Sequence, residues 1–377
     1  MMRIGMVTGE YPPMQGGVGA YTSVLAHQLA DKGQTLEVIS HSGSQSSSAL
    51  VQVTGSIDRW GISSLRTVQQ WAQFHRLDLV NLQFETAAYG MSPYIHFLPD
   101  MLRPIPVVTT FHDLNVPYLF PKAGALRNWI VMRLARASKG VIATNHDDFM
   151  RLRKLRALLI PIGSNISRTQ HGDAQVWRAQ AGAAHDDFLL VYFGLINQSK
   201  GLDTLLDSLS QLSDLPIRLV IAGAGTGSSD PTNAAYAQQI DAQAAKLNLG
   251  SRIVKTGYLD DASVSSYLSA ADAVVLPYSD GASYRRGTLM AALQEGCPII
   301  TTKPQGSIPS FIDGQNMLLV APGDPAALAA AMRRLYEAPD LRAKLQQGAR
   351  ELAGGFDWGE IGQETLNFFQ RIVGAKA

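Results

Sequence analysis

Short runs of apolar, mostly β-branched residues alternate with stretches of helical periodicity along the whole chain. Residues 2–8 read as a buried strand, and residues 18–29 as a helix with an apolar face. Further strands are predicted at 36–40, 79–83, 106–110 and 140–144, with a second series at 189–193, 218–222, 252–256, 273–277 and 298–302. Continuous apolar runs separated by helices imply parallel sheets covered on both faces, so the fold class is α/β. Between the series, residues 163–188 dilute the pattern with Ser, Gln, Asn, Gly, Asp and His, and read as an interdomain linker. The Ser-rich stretch 42–48 reads as a loop, and a last amphipathic helix, 361–373, opens after Gly355-Phe356-Asp357-Trp358. The expected architecture is two Rossmann-like domains whose parallel sheets face a central cleft, because ligands of such sheets sit outside the carboxyl ends of the strands.

A length of 377 residues suits two domains, and 46% hydrophobic with 17% charged residues describes an ordinary globular chain. The net charge of +1 gives no electrostatic case for nucleic acid. Cys297 is the sole cysteine, which excludes a disulfide framework and a thiolate metal site. The first residues carry no signal-peptide pattern, and no apolar segment approaches the ~20 residues of a membrane span. The cytoplasm is the expected compartment.

Chemistry collects where strands end. After the first strand comes Gly9-Glu10-Tyr11-Pro12-Pro13-Met14-Gln15-Gly16-Gly17-Val18-Gly19, a rigid turn and then a glycine loop feeding a helix. Free N–H groups and the positive end of the helix dipole suit a phosphate there, although the same loop would serve as a plain βα turn. It is neither the dinucleotide fingerprint nor a P-loop. In the second half, Gly194-Leu195-Ile196-Asn197-Gln198-Ser199-Lys200-Gly201 places a lysine at a helix start, and Gly223-Ala224-Gly225-Thr226-Gly227 repeats the glycine pattern more weakly. The loop from Tyr278 to Thr288 carries Arg285 and Arg286 at the start of another helix, where cations oppose the dipole unless an anion or an acidic group joins them. His112, at the end of the strand before it, faces the expected cleft. No His-Glu-x-x-His, Asp-x-Asp or Gly-x-Ser-x-Gly pattern is present, so the sequence suggests neither a dedicated metal site nor a serine nucleophile.

Taken in order, Tyr11-Pro12-Pro13 with Gly16-Gly17-Val18-Gly19, Phe111-His112-Asp113, Ile160-Pro161-x-Gly163, Lys200-Gly201 and Gly296-Cys297-Pro298-Ile299-Ile300 resemble the retaining GT-B glycosyltransferases of family 4. The resemblance covers nearly the whole chain. It implies an acceptor domain at 1–166 joined by a C-terminal crossover helix at about 357–377, and a nucleotide-sugar donor domain at 186–356. It implies no cofactor, with a nucleotide-diphosphate sugar as co-substrate and a glycan, lipid-linked or small-molecule acceptor. His112, Asp280 and Lys200 would be catalytic. Gly16, Gly17, Lys200, Gly257, Tyr258, Gly281, Ser283, Arg285, Arg286 and Thr288 would bind the donor. Departure of a nucleotide diphosphate builds negative charge, and without a metal it must be met by basic side chains and helix-end N–H groups.

The sequence departs from the family at two functions. The arginine that usually follows the first donor-loop glycine is Leu195, and the Glu-x7-Glu motif has Ser283, or Asp280 in a longer loop, at its first position and Ala291 at its second. Arg285 or Arg286 is expected to replace the lost cation, while Glu295, one turn beyond Ala291, is read as a surface residue. Two other readings stay open: a non-catalytic GT-B protein that binds a nucleotide-sugar or glycan, and a GT-B enzyme of another reaction. The segment 122–156 is rich in Lys and Arg, with Leu126, Trp129, Ile130 and Leu134 as an apolar side. It reads either as a core helix with a solvated basic face or as a peripheral contact with anionic lipid.

Overall fold

The computed structural model describes residues 1–14, 16–46, 48–114, 124–166, 173–223 and 231–374. The chain divides into two compact units, Met1–Gly163 with Phe356–Ala377, and Ser164–Gly355.

The first unit is built on seven strands: β1 (Arg3–Thr8), β2 (Thr35–His41), β3 (Val51–Ile57), β4 (Leu79–Phe84), β5 (Val107–Phe111), β6 (Gly140–Ala143) and β7 (Ala157–Leu159). They pair in the order β3-β2-β1-β4-β5-β6-β7, every pair parallel. Parallel pairing demands crossovers, which α1 (Gly17–Asp31), α2 (Ile62–Phe74), α3 (Leu98–Met101), α4 (Gly124–Ala137) and α5 (His146–Leu152) supply. Both faces of the sheet are therefore covered. Ile4 and Met6 of β1 join Leu25 and Leu29 of α1 on one face, while Val7 joins Val68 and Trp71 of α2 on the other. Gly5 keeps α2 close, since a Cβ there would lie 2.9 Å from the Trp71 ring.

The second unit opens with α6 (Ala174–Gln180), followed by β8 (Phe188–Phe193), α7 (Leu202–Ser210), β9 (Ile217–Ala222), α8 (Pro231–Lys246), β10 (Ile253–Gly257), α9 (Asp261–Ala270), β11 (Ala273–Leu276), α10 (Gly287–Glu295), β12 (Ile299–Thr302), β13 (Leu318–Val320), α11 (Pro325–Glu337) and α12 (Pro339–Ala353). Its strands run in the order β10-β9-β8-β11-β12-β13, again all parallel. The final helix, α13 (Trp358–Gly374), packs in the first unit, where Phe369 enters the same cluster as Leu25. Phe368 lies so near β6 that a Cβ at Gly140 would sit 2.8 Å from its ring.

Three readings of the sequence need correction. The strands β3, β7 and β13 were not foreseen: β3 and β13 are sheet edges with mixed burial, and β7 spans only three residues, so none has a long apolar run. The supposed linker contains α6, whose Trp177 ring packs edge-on against Tyr267 at 4.9 Å and whose Arg178 pairs with Asp272 at 2.9 Å. The apolar side expected of α4 also divides: Leu134 is fully buried, Ile130 half-buried and Trp129 exposed, while Leu126 lies outside the residues whose side chains are described.

His96 is fully buried, bonded through Nδ1 to the Pro93 carbonyl, and its Nε2 has no partner among the described residues. Burial, aided by Arg133, holds its pKa down at about 4. The sign follows from the unfolded value of about 6.5: the unfolded chain binds the proton first, so stability is full above that pH and falls as pH drops through 4. The expected loss is about 3 kcal/mol, and His96→Asn should flatten this acid limb in urea titrations at successive pH values.

Candidate functional site

In the first unit the candidate residues stand at the carboxyl ends of β1, β4 and β5. A buried polar chain crosses the sheet beneath them. The Val108 carbonyl can only accept, so Asn81 presents Nδ2 to it at 3.0 Å. Asn81 Oδ1 then accepts from Gln83 Nε2, and Gln83 Oε1 is left to face His112 Nε2 at 2.8 Å. His112 therefore carries its proton on Nε2 and leaves Nδ1 as an acceptor. Burial lowers its pKa to about 3, so the ring is neutral throughout the physiological range, and Tyr21 holds it edge-on at 4.7 Å. Sequence reasoning named His112 as a candidate but missed the pair that fixes its tautomer. The signal was available, because Asn81 and Gln83 share one face of a strand whose every residue is buried.

Glu10 was also missed. Its carboxylate accepts from the N–H groups of Val18 at 3.0 Å and Gly19 at 3.2 Å, and so fills the N-terminus of α1 with negative charge. Burial raises its pKa, the two N–H bonds oppose that rise, and Glu85 adds to it. This explains Gly16: a Cβ there would lie 2.1 Å from Glu10 Oε1. At Gly17 a Cβ meets nothing within 4 Å, so any ligand role of that glycine would belong to its backbone. Gly16→Ala should cost about 1–3 kcal/mol by expelling this cap, measured by urea unfolding. In the Glu10→Ala background the same substitution should cost much less, because the clash has gone.

In the second unit Lys200, Tyr278, Arg286 and Thr288 converge. Gly201 makes this possible: it has φ +67°, and a Cβ would lie 1.9 Å from the Pro277 carbonyl oxygen, so the loop after β8 lies directly against the end of β11. Lys200 Nζ donates to Thr288 Oγ1 at 3.4 Å and stands 5.3 Å from the centroid of Tyr278. The Arg286 guanidinium stands over the same ring at 4.7 Å, pairs with Asp280 and reaches Ser199 Oγ at 3.4 Å. Tyr278 is fully buried, with its hydroxyl 2.6 Å from Thr288 Oγ1. Burial, then the neighbouring Arg286, lower the Lys200 pKa to about 7, and Asp280 offsets part of that fall. A Cβ at Gly194 would meet Thr288 at 3.0 Å and Lys200 Nζ at 3.9 Å, so the missing side chain leaves a path to the ammonium. Among the described residues no side chain caps α10, whose first turn carries no acidic residue. Two cations and a helix N-terminus thus meet in one place, a setting for a multiply charged anion.

The remaining candidates lie nearby or apart. Gly281 has φ +84° and packs on the Lys303 carbonyl, and the Ser283 carbonyl accepts from the Arg286 N–H at 3.1 Å. Arg285 is half-buried on the same loop. Gly257, with φ +69°, ends β10, and Tyr258, 74% exposed, follows it. Ala291 is buried in α10. Glu295 is not a surface residue: it too is buried, and its Oε1 accepts from Ser265 of α9 at 2.7 Å. Residues 224–227 of the second glycine loop lie outside the described residues. Among the described residues no three His, Cys, Asp or Glu side chains are grouped to hold a metal ion, and no helix is long and apolar enough to cross a membrane.

Two family models match the chain: Glycosyltransferase Family 4 over residues 15–160 and Glycosyl transferases group 1 over residues 173–352. The glycogen synthase of Mycobacterium tuberculosis H37Rv is 27% identical, over 98% of this chain and 94% of the relative. The phosphatidyl-myo-inositol mannosyltransferase of Mycobacterium leprae is 23% identical, over 99% and 97%. Among solved structures, sucrose-phosphate synthase from Thermosynechococcus elongatus superposes with a TM-score of 0.81 at 20% identity, covering 100% of both chains. Anabaena HepE, solved in complex with UDP and glucose, gives 0.79 at 21% identity over 98% of this chain and 100% of that one.

Proposed function

We propose that this chain, a glycosyltransferase of the GT-B fold similar to family 4, moves a sugar from a nucleotide-diphosphate donor to an acceptor hydroxyl with retention and without a metal ion. The observation that carries the reading is the paired placement of Lys200 and Arg286 around Tyr278, beside the uncapped start of α10. The diphosphate would lie against these groups. As the anomeric C–O bond breaks, its electron pair passes to the leaving phosphate oxygen, whose growing charge the two cations and the helix N–H groups oppose. The acceptor oxygen bonds to the anomeric carbon from the same face, and its proton passes to the departing diphosphate. Configuration is thereby retained.

His112 suits the donor sugar better than the diphosphate. Its ring is neutral, and its acceptor Nδ1 matches a sugar hydroxyl rather than an anion. Tyr258 offers an exposed ring for the base, and Gly257, Gly281 and Ser283 offer backbone groups. Thr288 would orient Lys200, and Asp280 would release Arg286 as phosphate takes its place. Gly16 and Gly17 would approach the donor through their backbone, next to Glu10. The acceptor is a glycan, a lipid-linked molecule or a small molecule, and the setting is the cytoplasm.

Turnover of uridine, guanosine and adenosine diphosphate sugars, followed as nucleotide diphosphate release with NMR of the product anomer, tests the reading. One donor should be consumed, with a chelator present and with retained configuration. Absence of turnover and of thermal stabilisation with every donor would overturn it.

A further inference from the structure

A second concentration of positive charge lies at the other end of the first unit's strands. A groove of about 590 Å³ is lined by Arg103, Arg136, Lys139, Lys154 and Arg156, over a floor of proline and aliphatic side chains. It adjoins the amino ends of β5, β6 and β7, whereas His112 follows the carboxyl end of β5. Among the described residues no carboxylate lines it, and all five cations are exposed. Arg103 pairs with Asp100 at 3.2 Å, but the other four have no ion pair among the described residues. On the same segment Arg133 is bonded to Asp100 and Arg151 stands 4.0 Å from Asp148, while Arg153, outside the groove, also has no ion pair among the described residues.

The carboxyl ends of α4 and α5 point here and favour a cation or two, yet they do not account for four unpaired ones in a single concavity. Arg156 adds a structural cost. It holds φ +54°, the left-handed region that a non-glycine residue seldom adopts, at the groove's edge. We propose that this groove binds a pyrophosphate group on a non-nucleotide ligand. Several cations gathered in one groove suit a chain of phosphoryl groups better than a single carboxylate. Among the described residues the lining has no aromatic ring to stack a base and no carboxylate to hold a ribose. The aliphatic floor accepts a hydrocarbon or deoxygenated remainder.

The test uses inorganic pyrophosphate, titrated calorimetrically into the full chain carrying Lys200→Met and Arg286→Ala, so that the donor loops do not contribute. Binding should persist there, weaken at least about tenfold when Arg136→Gln and Lys139→Gln are added, and exceed that of sulfate by a similar factor. Unchanged melting temperatures confirm that these exposed substitutions leave the fold intact. No binding in the donor-loop variant, equal affinity for sulfate, or indifference to the groove substitutions would each overturn the proposal. Vesicles of phosphatidylglycerol form the second arm. Recruitment to them through Arg136 and Lys139 without pyrophosphate binding would mark the groove as a membrane contact instead, and would also overturn it.

Discussion

Lys200→Met should lower kcat/KM for the accepted donor by about a hundred- to a thousandfold, the usual cost of removing one preorganised charge from a leaving oxyanion. The unfolding midpoint should stay near that of the native chain or rise, because a partly buried ammonium beside Arg286 is replaced by an apolar chain of similar length. The same environment makes donor binding depend on pH. Free Lys200 titrates near 7, since burial and Arg286 disfavour its charge and Asp280 restores only part of it. A bound diphosphate supplies the missing counter-charge, so it raises that pKa and draws in a proton. The sign is fixed by linkage: affinity is greatest below pH 7 and declines above it, by at most roughly tenfold per pH unit while the bound form remains charged. Steady-state KM for the donor, measured from about pH 6 to 9, should rise along that limb. Lys200→Arg, whose charge does not titrate there, should flatten it. A KM independent of pH in the native chain would show that Lys200 does not meet the diphosphate.

The sequence is most legible where a residue's environment depends on its own neighbours. A central strand such as β8 is buried almost throughout and appears as an unbroken apolar run, and β4 keeps four apolar residues around its buried Asn81 and Gln83, whereas β3 at an edge keeps Thr, Gly and Ser. Lys200 and Arg286 were legible for the same local reason, each being a cation where a helix begins. Glu10 was not, because its partners Val18 and Gly19 lie beyond a proline turn and a glycine loop with no periodicity to connect them. Glu295 was misread because its partner, Ser265, is brought alongside only when α9 packs beside α10. Trp177 likewise gave no sign in a polar stretch that its ring meets Tyr267. Patterning fixes layers and strand ends, but long-range partners decide which polar residues at those ends are already satisfied.

That distinction bears on the missing arginine. Leu195 is 37% exposed and brings no charge to the loop after β8, while Arg286 enters the Lys200 neighbourhood from a different loop. Arg286→Ala should therefore reduce kcat/KM about a hundredfold and also raise the Lys200 pKa, since the second cause lowering it is removed. The pH limb of KM would move upward with it, a change that a merely structural substitution would not produce. Restoring the arginine at the family position, Leu195→Arg, should recover at least about a tenth of the native rate in the Arg286→Ala chain, while adding little to the native one. Recovery in the double variant requires that the two positions serve one charge at one phosphate. If Arg286→Ala retains full activity and an unchanged donor KM, the leaving diphosphate is neutralised elsewhere and the substitution of one arginine for the other is refuted.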